Sequence, residues 1–109
     1  MAFRLEWSNE ALEDIELIAT YIEKDSLYYA KSVVSKFFQK AESLKDFPNI
    51  GRVVPELNDT TIREVFVYSY RLIYKKYDNK VLVIAVVHGK RLLENYELNI
   101  WYNFRYNVY

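Results

Sequence analysis

Apolar and charged residues alternate at the start of the chain, Phe3, Leu5 and Trp7 against Arg4 and Glu6, and this period of two predicts a half-buried strand. The period then changes. Ser8 can cap a helix whose stripe is Leu12, Ile15, Ile18, Ala19 and Ile22, with Glu10, Glu13 and Asp14 near its positive end. Those three acids read as a solvated face and not as an acid/base or metal site. Asp25 and Ser26 break the pattern and open a second helix to about Asp46, with Ala30, Val34, Phe37, Ala41 and Leu44 on its stripe. So short a link makes the two helices nearly antiparallel.

Residues 47–57, FPNIGRVVPEL, hold both prolines and one of the two glycines, and connect the helices to a sheet. Residues 62–91 read as three strands folded back on one another. The run from Val81 to Val87 is unbroken and apolar, as in a central strand buried on both faces. Asp78 and Asn79 form a two-residue hairpin turn, since both tolerate positive φ. That turn sets Arg71 opposite Val86 and Ser69 opposite His88. One face then carries Ser69, Arg71, Ile73 and Lys75 beside Leu82, Ile84, Val86 and His88, and the other carries Tyr70, Leu72 and Tyr74 beside Val83, Ala85 and Val87. The second face should pack under the helices. The first should be at least partly open, with Arg71, His88, Lys90 and Arg91 gathered toward one end. The last residues return to a strand period: Leu98, Ile100, Tyr102, Phe104, Tyr106 and Val108 alternate with Asn99, Trp101, Asn103, Arg105, Asn107 and Tyr109.

The expected architecture is α+β: an N-terminal strand, then an antiparallel two-helix hairpin on one face of a mostly antiparallel sheet of about four strands. The aromatic tail serves as an extra strand or a pairing edge, which also allows a homodimer through the tail. The 109 residues make one domain, with a core over residues 1–95 and the tail over 96–109. The absence of cysteine and the single histidine exclude disulfides and the usual metal clusters, so neither a metal nor a cofactor is expected. With no signal peptide or membrane span in the pattern, the expected setting is a reducing cytoplasm. Net charge is zero but uneven: residues 1–26 hold two basic and seven acidic side chains, and residues 63–91 hold seven basic and two acidic. A local positive patch can attract an acidic partner. The overall balance counts against a function dominated by nucleic-acid backbone contacts.

Four pieces in order, Phe47-Pro48 with Gly51-Arg52, Ile62-Arg63-Glu64, Tyr70-Arg71-Leu72-Ile73-Tyr74, and Val87-His88-Gly89-Lys90-Arg91, resemble the RelE/ParE superfamily of toxins from bacterial type II toxin and antitoxin operons. The resemblance covers about residues 3–95 and implies a cognate antitoxin that wraps the toxin. Superfamily members that cleave messenger RNA on the ribosome would use Arg71 and Arg91, with Tyr96 the tyrosine nearest the expected acid/base position. Their lysine positions fall here on Ile62 and Glu64. Glu64 would repel the phosphate on which charge builds in metal-free cleavage, and Tyr96 would need a pKa shifted by roughly three units to act at neutral pH.

The IRE and HGKR segments look more like the ParE branch, whose members poison DNA gyrase by protein contact. On that reading Arg63, Arg71, His88, Lys90 and Arg91 form a target-binding surface and catalyse nothing. Three functions stay open: a ParE-like gyrase poison, which leads; a RelE-like ribosome-dependent endoribonuclease; and an inactive toxin-fold subunit that only binds its partner. Arg71 also has a purely structural use, pairing with an acid such as Glu64. A hydrogen-bonded His88 at a strand end is the favoured reading for that residue.

Overall fold

The computed structural model describes residues 3–90, and their elements run β1 (Arg4–Trp7), α1 (Asn9–Glu23), α2 (Leu27–Ser43), β2 (Arg52–Val53), β3 (Ile62–Val67), β4 (Tyr70–Lys76) and β5 (Lys80–His88). The expected tail strand, Arg91 and Tyr96 lie outside the described residues. The five strands make one sheet in the order β1-β5-β4-β3-β2, with β1 parallel to β5 and the other pairs antiparallel. The α+β class and the helix layer are as the sequence predicts. The sheet is one strand wider because the connector supplies β2, whose two residues are too few to show a period.

Both helices start at a serine. Ser8 Oγ accepts from the Ala11 N–H and Ser26 Oγ from the Tyr29 N–H, each at 3.0 Å. The buried stripes are Ala11, Ile15 and Ile22 on α1, and Ala30, Val33, Phe37 and Ala41 on α2. Leu12 faces out, and Val33 takes the buried place expected for Val34. Otherwise the stripes are as expected, with Ile15 and Ile22 on the first helix and Ala30, Phe37, Ala41 and Leu44 at the second all buried. Helix α2 ends at Ser43, short of Asp46, and tightens there through bonds from the N–H groups of Leu44, Lys45 and Asp46 to carbonyls three residues back.

The β4–β5 hairpin begins in the expected register, with Tyr77 N–H on Lys80 C=O at 2.9 Å and Tyr74 opposite Val83. Its turn does not use positive φ, which among the described residues occurs at Asn58 and Tyr68. Beyond Tyr74 a β-bulge at Ile84 shifts the pairing by one, so that Ile73 meets Ala85, Leu72 meets Val86, Arg71 meets Val87 and Tyr70 meets His88. A slip of one residue exchanges faces. Val86 and His88 therefore turn to the helix side, and the expected grouping of His88 with Arg71 is incorrect.

Helix α1 locks the bulge. The Ser8 N–H donates to Val83 C=O at 3.0 Å, and the Ser8 hydroxyl donates to the next carbonyl, Ile84, also at 3.0 Å. The Asp14 carboxylate accepts from the Val86 N–H at 2.9 Å.

Much of the face away from the helices, expected to be at least partly open, is covered, although Phe66 there stays exposed. Val54 and Leu57 of the connector pack there on Ile62, Ile73, Ile84, Ala85 and Val87, making a second small core. The main core joins the helix stripes to Val65, Val67, Leu72, Tyr74, Val81, Val83 and Val86. The connector is anchored by Tyr74, whose buried hydroxyl donates to Pro48 C=O at 2.8 Å and accepts the Gly51 N–H at 3.0 Å. A Cβ at residue 51 would lie 2.6 Å from the Glu64 carbonyl oxygen and 2.7 Å from the Tyr74 hydroxyl, so the close approach requires glycine. Removing that hydroxyl in Tyr74→Phe takes the partner from the buried Gly51 N–H and from the part-buried Pro48 carbonyl, and should cost about 1–3 kcal/mol. Urea unfolding should show a lower midpoint with an unchanged slope.

Candidate functional site

The sequence-predicted cations do not form one rim. Arg71 stands on the second face of the sheet, opposite Phe66 and Val87, and is 4% exposed. Arg63, opposite Tyr74 and Val53, reaches back to the connector, where its Nη1 donates to Gly51 C=O at 2.8 Å. Its Nε is buried with no hydrogen-bond partner among the described residues. His88 and Lys90 are exposed at the end of β5. Arg71 and His88 are thus on opposite faces, and Arg63 lies three positions away from Arg71 along the ladder, on the helix side.

Arg71 is instead the centre of a chain of four charges. Its Nε donates to Glu64 Oε1 at 2.6 Å, and its two terminal nitrogens fork onto Glu56 at 2.9 and 2.8 Å. Glu64, 1% exposed, takes a second arginine on its other oxygen, Arg52 Nε at 2.5 Å. The Arg52 guanidinium also lies 5.3 Å from the centre of the Phe66 ring. Two positive and two negative groups cancel, and each oxygen of the buried Glu64 carboxyl meets an arginine. The structural pairing of Arg71 with Glu64 noted in the sequence is therefore present, whereas Glu56 and Arg52 were missed. The signal for Arg52 lay in the register of a two-residue strand, and that for Glu56 in an irregular loop.

The ionisation follows the geometry. The Arg71 fork holds the Glu56 carboxyl below the usual range despite partial burial, and the two carboxylates raise Arg71. Burial pushes the Tyr70 and Tyr74 hydroxyls up, away from neutrality, so neither is tuned as a proton carrier. The His88 ring meets Tyr70 edge-on at 5.6 Å, and its Nδ1 accepts the Lys90 N–H at 3.2 Å, which leaves the proton of the neutral ring on Nε2. Among the described residues no group of acids and histidine is arranged to hold a metal ion.

Over residues 5–93 the sequence matches the family described as ParE toxin of type II toxin-antitoxin system, parDE. The chain belongs to this ParE toxin family. A search of curated proteins finds no match. The fold is similar to that in the chromosomal ParDE toxin–antitoxin system of P. aeruginosa, with a TM-score of 0.68 at 14% identity over 82% of this chain and 98% of that one. It is also similar to the YoeB dimer of Staphylococcus aureus, with a TM-score of 0.56 at 17% identity over 81% and 98% of the two chains. The RelBE2 toxin–antitoxin complex of Mycobacterium tuberculosis gives 0.53 at 18% identity over 81% and 99%. At these identities the likeness concerns the fold.

Two outcomes follow for this ParE-family chain. Arg71→Met leaves buried Glu64 with Arg52 as its one remaining arginine and removes the Glu56 fork, and should cost about 3 kcal/mol, while adding Glu64→Leu should recover part of that loss; chemical denaturation of the single and double variants measures both. Because the folded Glu56 pKa is depressed, its contribution is complete above its unfolded value and is lost as pH falls through the lower folded value. Glu56→Gln should remove that part of the acid loss and flatten the stability profile below the usual carboxylate range.

Proposed function

We propose that this protein is a toxin that poisons a protein target, DNA gyrase in the leading reading, and is held silent by a cognate antitoxin. The family supports the antitoxin pairing, and both the ParDE and RelBE2 neighbours are toxin–antitoxin systems. The single observation that carries the choice of target is the occupied guanidinium of Arg71. Its Nε and both terminal nitrogens already meet carboxylates, so clamping a scissile phosphate would require displacing Glu56 and approaching buried Glu64. Metal-free RNA cleavage gains rate from preorganised cations aimed at the phosphate. A neutral, internally satisfied cluster supplies none. The exposed groups at the end of β5, His88 and Lys90, then act by contact, with Arg91 following them in sequence.

A RelE-like ribonuclease is the second reading, favoured by the fold likeness to YoeB and RelBE2. It would need the Glu56 fork to open so that Arg71 could work with Arg91 and Tyr96. Gyrase reactions containing the purified protein should accumulate cleaved DNA, and translating ribosomes should keep their messages intact. Lys90→Glu should weaken the gyrase effect without altering the melting temperature. Codon-positioned message cuts with no effect on gyrase would overturn the leading reading, and unaffected growth on expression without antitoxin would point to an inert binding subunit.

A further inference from the structure

We propose that a cluster of tyrosines beside Asp25, where the two helices meet the turn between β3 and β4, is a binding site for a small quaternary ammonium compound, whose trimethylammonium group is the part recognised. The pocket, about 230 Å³, is lined by Tyr21 of α1, Tyr29 of α2, Tyr68 of the turn and Tyr70 of β4, together with Asp25 from the link between the helices and His88. Arg71 and its partners lie on the other face of the sheet, so the pocket is separate from the charged cluster.

The rings come from separate stretches of the chain and meet at an angle instead of stacking. Tyr29 and Tyr68 lie 6.3 Å apart with their planes tilted by 58°, and Tyr70 meets His88 at 5.6 Å and 75°. Rings set this way form walls, and the walls stay open: Tyr29 is 49% and Tyr68 57% exposed. An aromatic face carries the negative part of the ring quadrupole and attracts a cation placed over it. The Tyr70 phenol is pushed up first by burial and then by Tyr29 and Tyr21, so these phenols are within electrostatic reach of one another.

Tyr68 holds its place against a steric penalty. Val67 pairs with Tyr70, which leaves Tyr68 and Ser69 as a two-residue hairpin loop, and Tyr68 takes a φ of 53° there. Glycine and asparagine are the ordinary occupants of such a position. A bulky residue kept in it points to a use for the side chain. The end of β5 pins the same turn, since the Gly89 N–H donates to Ser69 C=O at 2.6 Å and a Cβ at residue 89 would lie 2.8 Å from that oxygen.

Charge and hydrogen bonding choose among cations. Asp25 supplies a negative charge at the exposed side, and among the described residues no lysine or arginine lines the pocket. A guanidinium or a primary ammonium brings several N–H donors that need acceptors. One exposed carboxylate and scattered phenol oxygens meet them poorly. A quaternary ammonium has no donor to satisfy and gains from the ring faces and the carboxylate alone.

Choline is the probe, titrated into the full-length protein and followed by two-dimensional NMR. It should shift the amide signals of Tyr68 and Ser69 with millimolar affinity, and its uncharged carbon isostere, dimethylbutanol, should bind about tenfold more weakly. Tyr68→Asn relieves the backbone and removes one wall, so its urea midpoint should hold or rise while choline binding falls about fivefold. Tyr29→Leu should weaken binding by a similar factor, whereas Tyr29→Phe, which keeps the ring, should bind as the parent does. Equal binding of choline and its isostere would reduce the pocket to an apolar crevice and sink the proposal, as would no binding, or full binding by both Tyr68→Asn and Tyr29→Leu. Methylguanidinium binding more tightly than choline would also sink it, reassigning the pocket to an arginine side chain of a partner protein.

Discussion

One serine hydroxyl holds the two halves of the molecule together. Ser8 Oγ accepts the N–H that opens α1 and donates to a carbonyl in β5, joining residues 76 apart in sequence. Because that carbonyl belongs to the bulge residue Ile84, the same contact that caps the helix fixes the point at which β5 slips by one against β4. Everything beyond it takes its face from that slip. Val86 enters the main core, Val87 joins the second core, and His88 turns toward Tyr70. Without the extra residue, His88 would share a face with Arg71.

The charged chain on the second face performs a related task by different physics. Val54 and Leu57 have modest apolar area to hold a long irregular connector on the sheet. The Arg71 fork onto Glu56 and the Arg52 bond to Glu64 fasten that connector at two more places. Buried ion pairs are weak sources of net stability but exacting about partners. Here they make the connector's position specific, and they remove from circulation an arginine that a phosphate would otherwise find.

Much of this fold could be read from the residues. The two serine caps, the helical hairpin and the central apolar strand follow from local chemistry and period, whereas the Asp78-Asn79 turn lies where expected without the positive φ that suggested it. The bulge left no mark, because Val83 to Val87 is apolar throughout and a shift of one leaves an unbroken apolar run looking the same. Leu12 and Val34 misled because each has an adjacent apolar residue, Ala11 and Val33, that fits the helical stripe as well. The site was legible only in parts. Glu64 could be suspected as a partner for Arg71, whereas Glu56 depends on the path of a loop carrying a left-handed Asn58, which no periodicity describes.

The parallel seat of β1 against β5 sets the order in which the molecule can come into being. During synthesis the helical hairpin is complete once its own residues emerge, but the first strand stays unpaired until the last strand of the sheet has been made. Contacts of such long span are slow to form. A nascent chain halted before Ile84 would carry two capped helices and no closed sheet, so the sheet closes in one step once β5 has been made.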